Sequence, residues 1–185
     1  HELATIFQAV GIYDEVTVSA ADSLKISGLG AFADQIPTDE TNLAWKAAEL
    51  VARACGEDPN IHIQIDKSIP IAAGMAGGSA DAAATLVACD TYWNAGIPRD
   101  QLDAMAATLG SDVPFMLHGG CALGVGRGDV LSPVMIRGSF HWVFATFDEG
   151  LSTAQIYEKT DEMRGLEFEA EPEVPTELLS ALARG

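Results

Sequence analysis

Apolar side chains recur along this chain with two periods. In "YDEVTVSA" and "LKISG" they alternate with polar ones, which predicts two strands with a turn between them. The period then lengthens. Leu43, Ala44, Ala47, Leu50, Val51 and Ala54 fall at helical spacing, with N-cap candidates from Thr38 to Thr41 and Gly56 as a stop. Alternation returns in "NIHIQID", where Ile61, Ile63 and Ile65 predict a half-buried strand.

A glycine-rich stretch follows, "IPIAAGMAGGSADAAATLVACDTYW", read as a loop and then a helix ending near Asn94 to Gly96. "PRDQLDAMAATLG" predicts a helix with Pro98 in its first position and Gly110 as its stop. "SDVPFMLHGG" starts a short helix with Asp112 as a candidate cap. "CALGVGRGDVLSP" reads as strand, turn, strand, and "FHWVFATF" as another buried strand. "LSTAQIYEKTDEMR" reads as a capped helix, the acidic stretch from Gly165 as a linker, and "TELLSALARG" as a final helix. Strands and helices mix without strict βαβ alternation, so the expected class is α+β.

The length of 185 residues suits one compact domain, or one domain and part of another, and 48 % apolar residues supply a core. No run of apolar residues is long enough to span a membrane. "HELATIFQAV" has no initiator Met, basic region or long apolar run, so it is not a signal peptide and reads as a start within a domain. The three cysteines, Cys55, Cys89 and Cys121, form no CxxC pair, and the histidines show no HExxH spacing; the thiols are expected to be buried in a reducing cytoplasm. A net charge of −17 disfavours nucleic acid and anionic membranes as partners. It also means that an anionic ligand needs a local positive site, since charges act strongly only within about 8 Å at physiological salt.

The loop "GMAGGSA" lacks the lysine of a Walker A motif, and Gly74, Gly77 and Gly78 are wrongly spaced for a Rossmann fingerprint. The general physics still applies. Bare backbone lets a ligand approach, and the unpaired N–H groups and dipole of a helix start attract phosphate. Ser79 is placed to cap that helix or to touch a phosphate. Asp81 is placed in its first turn, where it suits the dipole or approaches magnesium. On its composition alone the loop reads equally as a tight strand-to-helix turn.

"IPIAAGMAGGSADAAATLVA" resembles the second motif of the GHMP small-molecule kinases. With "HELATIFQAVGIYDEVTV", "NLAWKAA" and "LGSDVPFML" in the same order, the chain from His1 to about Arg164 resembles the kinases of 4-diphosphocytidyl-2-C-methyl-D-erythritol, especially actinobacterial forms. The resemblance implies a ribosomal S5 domain 2-like domain at 1–138 that binds ATP, and the start of a ferredoxin-like domain at 139–185. It implies ATP with Mg2+ as co-substrate and a cytidine diphosphate methylerythritol as the small-molecule substrate. The enzyme would be a cytoplasmic monomer or weak homodimer.

Carried over residue by residue, Gly74, Met75, Ala76, Gly77, Gly78 and Ser79, followed by Ala80, match the phosphate loop. Ala76 stands where many members have glycine, and its methyl group is expected to require a negative φ. Asn42 matches a position near the adenosine. Lys67 matches a lysine near the nucleotide and reads equally as an exposed strand-end lysine. Asp112 matches the aspartate of "G-[AS]-D-[VI]-P", a base for an unactivated tertiary alcohol; its other reading is a cap ahead of Pro114. His1 matches a cytosine reader, and Thr153 and Tyr157, four apart on one helix face, match residues facing the cytidine. No metal ligand is assigned. The family's first motif should precede His1 and its last glycine motif should follow Gly185, so these residues are expected to be a fragment of a longer kinase. The alternatives are another GHMP small-alcohol kinase and a non-catalytic nucleotide-binding module.

Overall fold

The isoleucine alternation becomes the middle strand of a sheet. The computed structural model describes residues 2–145, 152–164 and 172–185. In it β1 (Leu3–Gln8), β2 (Glu15–Ala20) and β3 (Lys25–Gly30) precede the helix α1 (Leu43–Cys55) and the strand β4 (Ile61–Lys67). Strand β4 runs between β2 and β3, antiparallel to the first and parallel to the second. The two strands predicted on either side of a turn therefore do not pair with each other. A parallel pair needs a long crossover, and α1 supplies it between β3 and β4. Alternate residues of β4 face the core: Ile61, Ile63 and Ile65 are fully buried, and Lys67 continues the same face.

The helix α2 (Gly77–Tyr92) packs beside α1 and against β2. Ala44, Ala47, Ala48 and Val51 of α1 meet Ala82, Ala83, Leu86 and Cys89 of α2 and the β4 isoleucines in one core. Small side chains let the two helices approach closely. Helices α3 (Arg99–Leu109) and α4 (Val113–His118) complete this layer. A second sheet, ordered β1–β5–β6, joins β1 to β5 (Cys121–Gly126) and β6 (Val130–Pro133), all antiparallel. The rings of Phe7 on β1 and Phe115 on α4 lie 5.1 Å apart and tie this sheet to the helices. Helices α5 (Thr153–Arg164) and α6 (Thr176–Arg184) follow. This is the mixed, α+β fold that the patterning predicts.

Three local expectations need correction. The cap of α1 is Asn42, not Thr38 to Thr41: its side-chain oxygen accepts the N–H of Ala44 at 2.9 Å. Pro98 stands at the N-cap of α3, one position before the first helical residue. "FHWVFATF" is no buried strand where it is described. Residues 140–145 are exposed and belong to no regular element, with Val143 at 98 %, and no described strand pairs with them; the remaining two residues of that run and the start of the acidic stretch lie outside the described residues. Gly56, at φ +75, does end α1 in the left-handed conformation. Among the described residues no helix is long and apolar enough to cross a membrane.

Because Ile63 is fully enclosed between two helices and two strands, Ile63→Ala should destabilise the protein by about 2–5 kcal/mol. A urea titration checks this; a loss below about 1 kcal/mol would mean that the core is not closed around β4.

Candidate active site

The loop between β4 and α2 is built from unfavourable backbone. Ala72, Gly74 and Ala76 have φ of +55, +71 and +52. Ala76 thus overturns the expectation of a negative φ: its methyl group is accommodated in the left-handed region, at a cost of about 1–2 kcal/mol. Such strain persists where the surroundings impose it. At Gly77 the bare backbone relieves a tight contact. A Cβ there would lie 3.0 Å from both Ile69 Cγ2 and Lys67 Nζ. At Gly78 a Cβ would meet nothing within 4 Å, so bareness there leaves open space in front of the helix. Ala76, at the N-cap of α2, offers no side-chain bond, so no cap competes for the helix's first N–H groups.

Beneath this loop lies a buried ion network. Lys67 Nζ donates to Asp14 Oδ2 at 2.5 Å and to Asp81 Oδ2 at 2.6 Å. The three side chains are 2–5 % exposed. Lys67 is therefore not an exposed strand-end residue. Asp81 lies past the first turn of α2, not within it, and pairs with Lys67. Burial pushes the Asp81 carboxyl up to about 6, against the pull of Lys67; its Oδ1 is buried with no partner among the described residues. Burial acts on Asp14 in the same sense, but the N–H of Ile69, the Lys67 ammonium and the N–H of Ser68 together hold its carboxyl below the usual value.

Two cavities open on either side of the loop. The larger, about 630 Å³, runs from Asn42 along the loop to Asp81, Asp112, Arg127, Thr153 and Tyr157. The smaller, about 530 Å³, lies against Phe7, Val10, Tyr13, Phe115 and Met116. Gly74, Met75, Ala76 and Asp112 line both. Asp112 occupies the N-cap position of α4, but its side chain caps no helix N–H, so the plain cap reading does not account for it.

Most of the residues singled out in the sequence come together here. Lys67, Gly74, Met75, Ala76, Gly77 and Gly78 line the larger cavity with Thr153 and Tyr157, and Ala80 lines the smaller. Ser79 lines neither and caps nothing. Asn42 also faces the larger cavity, but its amide is engaged: besides capping α1, its Nδ2 donates to Pro37 O at 2.7 Å. His1 lies outside the described residues. Sequence reading missed Asp14 and Arg127. Arg127 brings a cation to the larger cavity while pairing with Asp129 at 2.6 Å. Its only signal was a polar turn, "GRGD", between two strands.

A strand, a strained glycine loop and an open helix start, with a carboxylate on the same rim, form an arrangement suited to receiving a phosphate, and the chain is similar to the GHMP kinases. Residues 42–120 match the model of the GHMP kinases N terminal domain. The whole chain is 54 % identical to the 4-diphosphocytidyl-2-C-methyl-D-erythritol kinases of Mycolicibacterium gilvum and of Mycobacterium tuberculosis, and covers 58 % of each. The chain thus spans little more than half the length of these curated relatives. A crystal structure of 4-(cytidine 5'-diphospho)-2C-methyl-D-erythritol kinase superposes with a TM-score of 0.70 at 31 % identity, covering all of this chain and 63 % of that one. L. major mevalonate kinase, at 14 % identity and a TM-score of 0.63 over all of this chain and 60 % of that one, shares the fold.

The raised carboxyl of Asp81 has a signed consequence. Its stabilising contribution is complete below the unfolded value of 3.8 and is lost as pH rises through about 6. Relative to Asp81→Asn, the wild type should therefore lose stability between pH 4 and pH 7. Denaturant titrations of both proteins across that range check it; a wild type that gains on the variant as pH rises would contradict it.

Proposed function

We propose that the protein is an ATP-dependent kinase that phosphorylates the 2-hydroxyl of 4-diphosphocytidyl-2-C-methyl-D-erythritol, a step of non-mevalonate isoprenoid synthesis. The observation that carries this reading is the position of Asp112, on the rim that both cavities share with the loop. The relatives' names supply the substrate. In this reading residues 1–138 form the ATP-binding domain and 139–185 begin a second one.

ATP is assigned to the larger cavity, with its phosphates at the open N-terminus of α2. There the helix dipole and Arg127 provide the positive potential that the chain as a whole lacks. Asn42 would border the adenosine through its backbone surface, since its amide is engaged in capping. Thr153 and Tyr157, read as facing the cytidine, line this same cavity with Asp112, so in this reading the acceptor alcohol enters it beside the nucleotide.

Asp112 accepts the proton of the tertiary hydroxyl as the alcohol oxygen attacks the γ-phosphorus, and ADP leaves. Positioning and charge stabilisation dominate phosphoryl transfer; the base adds about 10²–10⁴-fold. A magnesium ion carried by the phosphates would be held by Asp112, since Asp81, the other carboxylate described in the lining of that cavity, is paired with Lys67. When bound, it neutralises phosphate charge. Among the described residues no cluster of three metal-ligating side chains exists to hold it alone.

Asp112→Asn keeps the size of the side chain and, since Asp112 caps nothing, should leave the melting temperature unchanged. Turnover should fall by about 10²-fold or more. ADP release from ATP with the cytidine diphosphate alcohol measures this in the intact protein. Wild-type turnover in the variant would refute the base; no alcohol-dependent ADP release from the wild type would refute the function.

A further inference from the structure

The glycine loop is pinned at both ends by the same buried network. At its entry Asp14 Oδ1 accepts the N–H groups of Ser68 and Ile69 at 2.7 and 2.8 Å. At its exit Asp81, one turn after Gly77, is tied to Lys67 at 2.6 Å. Lys67 joins the two carboxylates and lies against Gly77, where no Cβ would fit without displacing it. Between these anchors stand two alanines and a glycine at positive φ. A chain segment in that conformation relaxes unless something outside it holds the ends. The network also lies in the wall between the cavities: Asp14 lines the smaller, Lys67 and Asp81 the larger.

We propose that Asp14, Lys67 and Asp81 are positioning residues that clamp the strained loop, so that its backbone donors are already in place for phosphate and both cavities keep their shared rim. The phosphate part rests on the kinase reading; the clamp itself does not. Lys67 makes a poor direct phosphate ligand here, because two carboxylates already hold its ammonium.

Replacing a buried ion pair with apolar side chains often costs little stability, whereas removing one partner costs much. This separates clamping from mere folding. In the intact protein, Lys67→Met should lower the melting temperature by leaving two carboxylates in apolar surroundings. Lys67→Met with Asp81→Leu strands only Asp14, which keeps the N–H groups of Ser68 and Ile69, and should recover part of the loss. The double variant should still bind a non-hydrolysable ATP analogue at least tenfold more weakly than wild type. Its amides from Ile71 to Gly78 should exchange hydrogen at least tenfold faster. Asp81→Asn, which keeps the shape, should show both effects in milder form and carries the comparison if the double variant does not fold. A variant with wild-type affinity and wild-type exchange in this loop would overturn the clamp. If the wild type does not bind the analogue, the nucleotide reading fails, and the exchange rates alone decide the clamp.

Discussion

A lysine ammonium held out of water between two carboxylates is the constraint on which the rest of this structure depends. Taking three charged groups into a protein interior is costly, and leaving any one of them unpaired costs several kcal/mol, on the order of 3–5. Lys67 comes from the end of the central strand, Asp14 from the connection between the two sheets and Asp81 from the second turn of α2. Their mutual pairing forces these three segments to one point. The glycine loop crosses directly above that point, so its path follows from the ion network as much as from its own sequence.

The same network explains where positive potential is found in a very acidic protein. Lys67 is cancelled locally by its partners, whose charges exceed its own when both are ionised. Among the described residues lining the larger cavity, what remains to meet an anion is the uncapped start of α2 and Arg127, itself paired with Asp129. Both are short-ranged, which suits the proposed polyphosphate site without making the whole surface attractive to anions. Asp112, the proposed base, stands apart from both, on the rim shared by the two cavities. In the proposed function, attraction and proton acceptance thus come from different elements, α2 and the turn before α4, held together by the core beneath them.

Much of this was legible from periodicity and motif. The α1 stripe and the alternation of Ile61, Ile63 and Ile65 found their places, and carrying that alternation one step further puts Lys67 on the buried face. Asp81 shares a buried stripe with Gly77 and Thr85, but a carboxylate on such a stripe is read as solvated unless its partner is known. That partner network includes Asp14, 53 residues from Lys67 in the chain, a distance no local pattern bridges. The turn between β2 and β3 was legible, but local spacing cannot show that a third strand enters between them. The left-handed Ala76 was missed because a methyl group argues against that conformation unless outside contacts impose it.

The burial of Lys67 is the claim most directly open to measurement. Reductive methylation of the native protein, followed by peptide mass analysis, compares it with Lys25, Lys46 and Lys159, all of which are exposed. The account predicts that these three are modified readily while Lys67 stays unmodified until the protein is unfolded. Modification of native Lys67 at the rate of the other three would contradict the ion network, and with it the organisation of the loop above.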